Sequence, residues 1–148
     1  RTGLKADIIV ADARAHGTTG YDVVVLDAPC SATGTIRRHP DLPFAKDGAQ
    51  FSALFDLQAQ LLDHALERMA AKGRLVYCTC SLLPDEGEAQ IENALQKHSG
   101  LRVDHSALDK DFIAQEWRVA ELGLRLRPDF WAEHGGMDGF FITVLCWA

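Results

Sequence analysis

Short apolar runs that each end in an aspartate constrain the fold of this chain more than any other sequence feature. The runs 6–11 (ADIIVA) and 21–26 (YDVVVL) are rich in β-branched residues, and Asp12 and Asp27 follow them directly. Continuous apolar runs of this length are typical of buried strands in a parallel sheet. Segments with helical spacing separate the later runs. This alternation of strands and helices predicts an α/β fold with a sheet flanked by helices.

The remaining elements follow from hydrophobic spacing and helix-end signals. Apolar residues recur at intervals of three and four over 50–71, which predicts an amphipathic helix that residues 72–73 end. A second helix is predicted over 84–100. The segment 28–48 is predicted to form one loop of about 20 residues, and loops of this length in compact domains commonly have a function. Shorter elements are predicted as strands over 74–79, 101–105, 122–127 and 139–147 and as a helical or irregular stretch over 111–117.

The composition indicates one modest globular domain. The 148 residues carry a formal net charge of −6, which excludes the strongly basic balance of a free-standing nucleic-acid-binding protein. No apolar run approaches the ~18 residues of a membrane span and no secretory signal is evident, so we expect a cytoplasmic protein without membrane association. Four cysteines in such a chain favour catalytic, metal or core roles over disulfides. Because the chain begins without Met and enters a strand almost at once, we expect missing upstream residues.

Two of the four cysteines come directly after predicted strands. Cys30 lies in the segment 27–34 (DAPCSATG), and Cys80 lies in the segment 77–86 (YCTCSLLPDE). In open α/β sheets, ligands bind outside the carboxyl ends of the strands. Both cysteines and Asp27 are therefore expected to lie at this edge of the sheet.

These three residues meet the chemical needs of pyrimidine methylation at C5. The C5 atom is too weak a nucleophile to accept a methyl group until a thiolate adds at C6. A second acid or base beside the first cysteine assists loss of the C5 proton and release of the covalent bond. A carboxylate beside the ring stabilises the charge that develops. Cys80, Cys30 and Asp27 are therefore the predicted catalytic residues.

Four motifs resemble those of one enzyme family. The segments 27–34, 36–41 (IRRHPD), 79–81 (TCS) and 138–141 (DGFF) are similar to the Sun/Fmu (RsmB-like) family of S-adenosylmethionine-dependent RNA cytosine-C5 methyltransferases. The resemblance runs from Val10 to the last predicted strand. It implies a Rossmann-like methyltransferase sheet, S-adenosylmethionine as cofactor, RNA as partner, 16S rRNA as substrate and a covalent cysteine–C6 adduct.

The resemblance also implies a role for each matching residue. Cys80 is the nucleophile that attacks C6, and Cys30 assists breakdown of the adduct. Asp27 lies between the methionine end of the cofactor and the target base. Asp12 contacts the adenine side of the cofactor, and Pro29 completes the implied cofactor set.

A basic cluster is implied to contact the RNA. Arg37, Arg38 and His39 are candidates to bind phosphates, and each such contact adds to the salt dependence of binding. The loop 28–48 is implied to hold the flipped-out base. A solvated loop without RNA contact is the alternative for this cluster.

Two departures from the family pattern shape the expected architecture. The family has an Asn-centred acidic triplet after its Thr-Cys motif, whereas this chain has Glu86-Gly87-Glu88. We interpret both glutamates as acids of a first helical turn, where the helix dipole favours them. The family's Gly-rich cofactor turn has no counterpart here.

The missing turn indicates that the sheet is incomplete. Methyltransferase sheets of this kind run in the order 3-2-1-4-5-7-6, and the runs 6–11 and 21–26 resemble strands three and four. Strands one and two, which lie between those two in the sheet, are missing. We therefore expect residues 1–148 to be the C-terminal portion of a single methyltransferase catalytic domain, incomplete at its N-terminus. The open edge of 21–26 is then available for self-association.

Several alternatives remain open from the residues alone. Cys78 and Cys146 are interpreted as core residues. A Cys-x-Cys pair without a second close pair is weak evidence for zinc, so no metal is expected. Asp12 can instead cap the turn that follows it. For the function, the alternatives are the same chemistry on tRNA and a non-catalytic RNA-binding or assembly module.

Overall fold

The computed structural model describes residues 2–45 and 48–148, which form a mixed sheet flanked by helices. The strands are β1 (Tyr21–Asp27), β2 (Met69–Thr79), β3 (Leu101–Val103), β4 (Arg118–Val119), β5 (Gly123–Leu126) and β6 (Phe140–Trp147). The helices are α1 (Leu42–Ala45), α2 (Phe51–Arg68), α3 (Glu88–Lys97) and α4 (His105–Leu108). Within these ranges, no helix has the length and apolar character that crossing a membrane requires.

The strand order places the two predicted site strands side by side. β1 and β2 are parallel, with Asp27 opposite Cys78. β6 runs antiparallel to β2, and β5 and β4 complete the order β1-β2-β6-β5-β4. β3 pairs with residues 145–147 of β6 and β5 pairs with residues 140–142, so both occupy the same edge of that strand. The run β1-β2-β6-β3 matches the 4-5-7-6 portion of the methyltransferase order.

The core lies between one face of the sheet and the helices α2 and α3. Side chains alternate across a strand, so Leu75, Tyr77 and Thr79 of β2 share a face. All three are fully buried. Leu62 of α2 and Ile91 of α3 belong to the same hydrophobic cluster as Leu75 and Tyr77. This packing fixes the carboxyl ends of β1 and β2, where the predicted site lies.

The predicted strand over 6–11 is wrong. The described residues before β1 form no strand, and Ile8 and Val10 are 86% and 97% exposed. A strand is stable only when its backbone groups pair with a neighbour, and in the described chain no strand lies beside this run. β1 pairs with β2 alone, so its other edge also has no partner among these residues.

The predicted end of the first long helix is also wrong. α2 ends at Arg68, and β2 begins at Met69 with no turn between them. Gly73 therefore lies inside β2 instead of at a helix stop. The close approach of β1 explains the glycine, because a Cβ at this position would lie 2.7 Å from the carbonyl oxygen of Tyr21.

Two other predictions are corrected in part. The segment 84–100 divides into a 3-10 turn, Pro84–Glu86, and the helix α3. The segment 28–48 is not a plain loop, because it contains the 3-10 turn Thr33–Thr35 and α1. Residues 46–47 of that predicted loop lie outside the described residues. The strands predicted over 21–26, 74–79, 101–105, 122–127 and 139–147 are confirmed with shifted ends.

Candidate active site

The two predicted cysteine loops meet at the carboxyl ends of β1 and β2. Cys30 follows β1 and Cys80 follows β2, and their Sγ atoms are 3.3 Å apart. Backbone hydrogen bonds hold the loops in this arrangement. The Gly34 N–H donates to the Cys80 carbonyl at 2.9 Å, and the Ala28 N–H donates to the Cys78 carbonyl at 3.0 Å. The structure therefore brings together two cysteines that are separated by 50 residues in the sequence.

Three hydroxyl groups link the same two loops. Ser31 Oγ lies 3.2 Å from Thr33 Oγ1 and 3.3 Å from Ser81 Oγ. Thr33 Oγ1 also accepts a hydrogen bond from the Leu82 N–H at 2.9 Å. Ser31 and Ser81 are fully buried. Buried hydroxyls require hydrogen-bond partners, so this cluster favours one relative position of the loops.

A fully buried carboxylate, Glu86, lies against the loop that carries Cys30. Its Oε1 accepts hydrogen bonds from the Ser31 N–H at 2.8 Å and from Gln58 Nε2 at 3.0 Å. Its Oε2 accepts a hydrogen bond from the Ser31 hydroxyl at 2.5 Å. Glu86 lies in the first turn of the 3-10 helix Pro84–Glu86, as interpreted, but its side chain is buried and binds Ser31 and Gln58. Glu88 is confirmed as an acid of a first helical turn, that of α3.

A third segment, 138–141, packs against the cysteine loops. The Gly139 N–H donates to the Gly34 carbonyl at 2.7 Å. A Cβ at Gly34 would lie 2.0 Å from the Gly139 carbonyl oxygen and 2.9 Å from that of Cys80. Only glycine permits this approach of three backbone segments. Three of the sequence motifs therefore converge on one small region.

Burial keeps two thiols of this region protonated. It raises the pKa of Cys30 to about 12, an effect that a backbone hydrogen bond from Ala32 opposes and the neighbouring Cys80 and Glu86 reinforce. Burial likewise raises the pKa of Cys78 to about 11. At neutral pH both groups are thiols, so Cys30 is suited to donate a hydrogen bond or a proton.

Asp27 and Pro29 lie exposed at the end of β1. Asp27 Oδ1 lies 3.9 Å from the buried sulfur of Cys78. Such a carboxylate suits the ammonium and hydroxyl groups of a small ligand. These two residues therefore border the cysteine loops and face solvent.

Asp12 stands apart from the cysteines and caps a turn. It accepts a hydrogen bond from the Arg14 N–H at 2.9 Å, and its Oδ2 lies 2.7 Å from the Arg14 guanidinium. These contacts lower the pKa of Asp12 to about 2. The carboxylate also lines a cavity of about 430 Å³ between residues 7–16, β1 and α2. A larger cavity of about 600 Å³ is lined by α4, β5 and the chain between them and includes neither Cys30 nor Cys80.

The basic cluster lies on the loops beside the site and is partly neutralised. Arg37, Arg38 and His39 are exposed. Arg38 Nε lies 2.6 Å from Asp138 Oδ2, and Arg37 Nη2 lies 3.6 Å from Asp138 Oδ1. Asp138 directly precedes Gly139, so the cluster is tied to the segment that packs on the cysteine loops.

Sequence reasoning missed two further buried polar residues. Arg125 of β5 pairs with Glu88 and donates to the Ser81 carbonyl. Gln58 is fully buried within α2. A signal for Gln58 is present in the sequence, because it lies on the apolar stripe of the helix three residues before Leu61. Arg125 has no comparable signal, since its partners come from distant segments.

The other two cysteines belong to the sheet. Cys78 and Cys146 are confirmed as buried. In the ranges that the structure describes, no group of three or more His, Cys, Asp or Glu side chains is arranged to hold a metal ion.

The strand order and the paired cysteines at the strand ends define part of a Rossmann-like methyltransferase fold. The family described as 16S rRNA methyltransferase RsmB/F matches residues 1–146. The chain therefore belongs to this family.

Two bacterial relatives are similar to the chain along nearly its whole length. The chain is 41% identical over 152 residues to the ribosomal RNA small subunit methyltransferase B of Pseudomonas syringae pv. tomato, covering 98% of this chain and 32% of the relative. It is 35% identical over 149 residues to the protein of that name from Shewanella oneidensis, with the same coverage. The chain thus spans about a third of the length of these relatives.

Two solved structures have a similar fold. The crystal structure of PH0851 superposes with a TM-score of 0.79 at 30% identity, over 93% of this chain and 30% of that one. The structure of NSun6 from Pyrococcus horikoshii with SFG superposes with a TM-score of 0.74 at 25% identity, over 95% of this chain and 34% of that one.

Proposed function

We propose that this chain is part of an S-adenosylmethionine-dependent RNA cytosine-C5 methyltransferase that acts on 16S rRNA through a covalent cysteine adduct. In this proposal, residues 1–148 are the C-terminal portion of a single catalytic domain. The observation that carries it is the 3.3 Å contact between the sulfur atoms of Cys30 and Cys80 at the ends of adjacent parallel strands. The names of the similar proteins support rRNA as the substrate.

Cys80 is the proposed nucleophile. After its proton passes to solvent, the thiolate adds to C6 of the cytosine and forms a carbon–sulfur bond, which makes C5 nucleophilic. S-adenosylmethionine supplies the methyl group that C5 receives. The C5 proton then passes to water, the C5–C6 double bond reforms and the bond between C6 and Cys80 breaks.

Cys30 is proposed to assist the last step. Its thiol is protonated at neutral pH and touches the Cys80 sulfur, so it can donate a hydrogen bond to that sulfur as it leaves C6. A hydrogen bond of this kind stabilises the developing negative charge on the leaving group. Without it, the covalent adduct breaks down more slowly.

The exposed carboxylates fit part of the cofactor. S-adenosylmethionine carries an ammonium group and ribose hydroxyls, which carboxylate oxygens bind well. Asp27 and Pro29 are proposed to border its methionine end and the target base, with Asp27 also stabilising charge on the ring. Asp12 is proposed to contact the adenine side from the rim of the cavity beside β1.

Arg37, Arg38 and His39 are proposed to contact RNA phosphates. All three are exposed on loops that pack beside the cysteines. Because each phosphate contact displaces counterions, each should steepen the salt dependence of RNA binding. The open edge of β1 is a proposed site of self-association, which sedimentation at increasing concentrations of the chain would detect.

The test of the reaction uses the longer protein that contains this chain, with its rRNA substrate and S-adenosylmethionine. We expect Cys30→Ala to accumulate a protein–RNA adduct that survives denaturation, and Cys80→Ala to form none and to transfer no methyl group. Cys146→Ala is the control, because this buried cysteine lies on β6 away from the loops, and it should retain turnover.

Two results would contradict this assignment. An adduct in Cys80→Ala but not in Cys30→Ala would reverse the roles of the two cysteines. RNA binding that persists in all variants, with no methyl transfer even in the unchanged protein, would support a non-catalytic binding module.

A further inference from the structure

The carboxylate of Glu86 is fully buried. In the described part of the chain, no Lys, Arg or His forms an ion pair with it. Burial of an ionisable group without a cation costs free energy. The nearby arginine, Arg125, pairs with Glu88 instead. The role of Glu86 in the structure therefore follows from the neutral groups that bind its carboxylate, which belong to Ser31 and Gln58.

The side chain of Glu86 holds the Cys30 loop on both sides of the cysteine. On one side, it accepts hydrogen bonds from the backbone N–H and the hydroxyl of Ser31. On the other side, Gln58 Nε2 bridges Glu86 and the Pro29 carbonyl, at 3.0 Å and 2.8 Å. The residues directly before and after Cys30 are thus both linked to one carboxylate.

The main chain of Glu86 holds the strand that leads to Cys80. Its carbonyl accepts a hydrogen bond from the Tyr77 hydroxyl at 3.0 Å and from Thr79 Oγ1 at 3.2 Å. Both donors are fully buried on β2. Glu86 therefore connects the Cys30 loop and the end of β2 through one residue.

We infer that Glu86 is a positioning residue that ties the loop carrying Cys30 to the strand that leads to Cys80 and holds the two sulfur atoms in contact. The inference deepens the proposed function, on which its catalytic meaning rests. Glu86 is fully buried behind the Cys30 loop, so it acts on the reaction through Cys30.

The position of the two sulfur atoms can be measured without RNA or cofactor. In a glutathione buffer, Cys30 and Cys80 lose two hydrogens to form a disulfide while glutathione disulfide is reduced to two glutathione thiols. The equilibrium constant of this exchange gives the effective concentration of the Cys30 thiol around the Cys80 thiol. The experiment uses the chain with Cys78 and Cys146 replaced by Ser, so that no other thiol competes.

Glu86→Gln is the principal variant, and Glu92→Gln on the exposed face of α3 is the matched control. A glutamine side chain has one oxygen, so it cannot accept hydrogen bonds where both Oε1 and Oε2 of Glu86 do. We therefore expect Glu86→Gln to lower the effective concentration of the two thiols about tenfold. Glu92→Gln should change it by less than about twofold, since Glu92 is exposed on α3 and its side chain is remote from the Glu86 hydrogen bonds. Ser31→Ala keeps the Glu86 carboxylate and removes its hydrogen bond from the Ser31 hydroxyl, so it should lower the effective concentration by an intermediate amount. This variant replaces Glu86→Gln in the test if Glu86→Gln does not fold.

The pKa of Cys30 provides a second measurement, because it responds to the charge of Glu86. The titratable groups that face Cys30 are Cys80, Glu86 and Tyr77. With Cys30 as the sole remaining cysteine, the pH dependence of its alkylation gives its pKa. Loss of the carboxylate charge in Glu86→Gln should lower this pKa, whereas Ser31→Ala keeps the charge and should shift it less.

Two results would overturn the inference: no disulfide in the unchanged pair, or an unchanged effective concentration in folded Glu86→Gln and Ser31→Ala. These thiol measurements are independent of methyl transfer, so failure of the proposed function would appear only in the RNA adduct assay. If the inference and the proposed function are both correct, Glu86→Gln in the longer protein should accumulate the protein–RNA adduct as Cys30→Ala does.

Discussion

Replacement of Gly34 by Ala tests the convergence of the three backbone segments. The new Cβ would lie 2.0 Å from the Gly139 carbonyl oxygen and 2.9 Å from the Cys80 carbonyl oxygen. Both neighbours are backbone atoms, so no flexible side chain can move aside. The segments must separate and weaken two hydrogen bonds, from Gly139 to Gly34 at 2.7 Å and from Gly34 to Cys80 at 2.9 Å.

The magnitude follows from these contacts. Two backbone hydrogen bonds and the overpacking together contribute about 2–6 kcal/mol, and partial movement of the segments leaves an expected loss of about 3 kcal/mol in the free energy of unfolding. Urea denaturation measures this loss if unfolding is two-state. Gly17→Ala is the matched control, because a Cβ there meets no atom within 4 Å, and its stability should change by less than about 1 kcal/mol. Equal stability of the two variants would refute the reasoning.

The remaining predictions concern a charge, the core and the RNA contact. Asp104 has a pKa lowered to about 2, first by the Ser106 hydroxyl. Its stabilisation is present above the ordinary pKa and lost as pH falls toward 2, so Asp104→Asn should destabilise the chain at pH 7 and much less near pH 2 in urea titrations. Leu62 is 1% exposed, so Leu62→Ala should cost about 2–5 kcal/mol in the same assay. In the longer protein, Arg38→Gln should weaken RNA binding and reduce its salt slope by about 1, whereas Asp138→Asn, which frees the arginine, should strengthen binding.

The sequence predicts the elements whose signals are local. The apolar runs at β1 and β6 and the apolar stripe of α2 each specify an element without reference to distant residues. The contact between Cys30 and Cys80 was also predictable, because parallel strands bring their carboxyl ends to one edge. Glycine signals were less reliable. Gly73 serves the approach of β1 to β2, which depends on sheet pairing and not on the local helix.

The buried polar network could not be predicted in the same way. Glu86 sits after Pro84, where an acid is typical of a first helical turn. Its burial depends on Ser31 and Gln58, which lie 55 and 28 residues away in the sequence. The run 6–11 failed for the opposite reason, since strong strand propensity forms no strand without a neighbouring strand to complete its hydrogen bonds.

The position of β6 has a consequence for the order in which the protein is built. β3 and β5 pair along the same edge of β6, and within the described chain β4 pairs only with β5. During synthesis from the amino end, β1, β2 and α2 are complete long before residues 140–147 are added, and they can assemble first. β3 and β5 must remain without their sheet neighbour until β6 has left the ribosome, so four of the six described strands take their places in the sheet late.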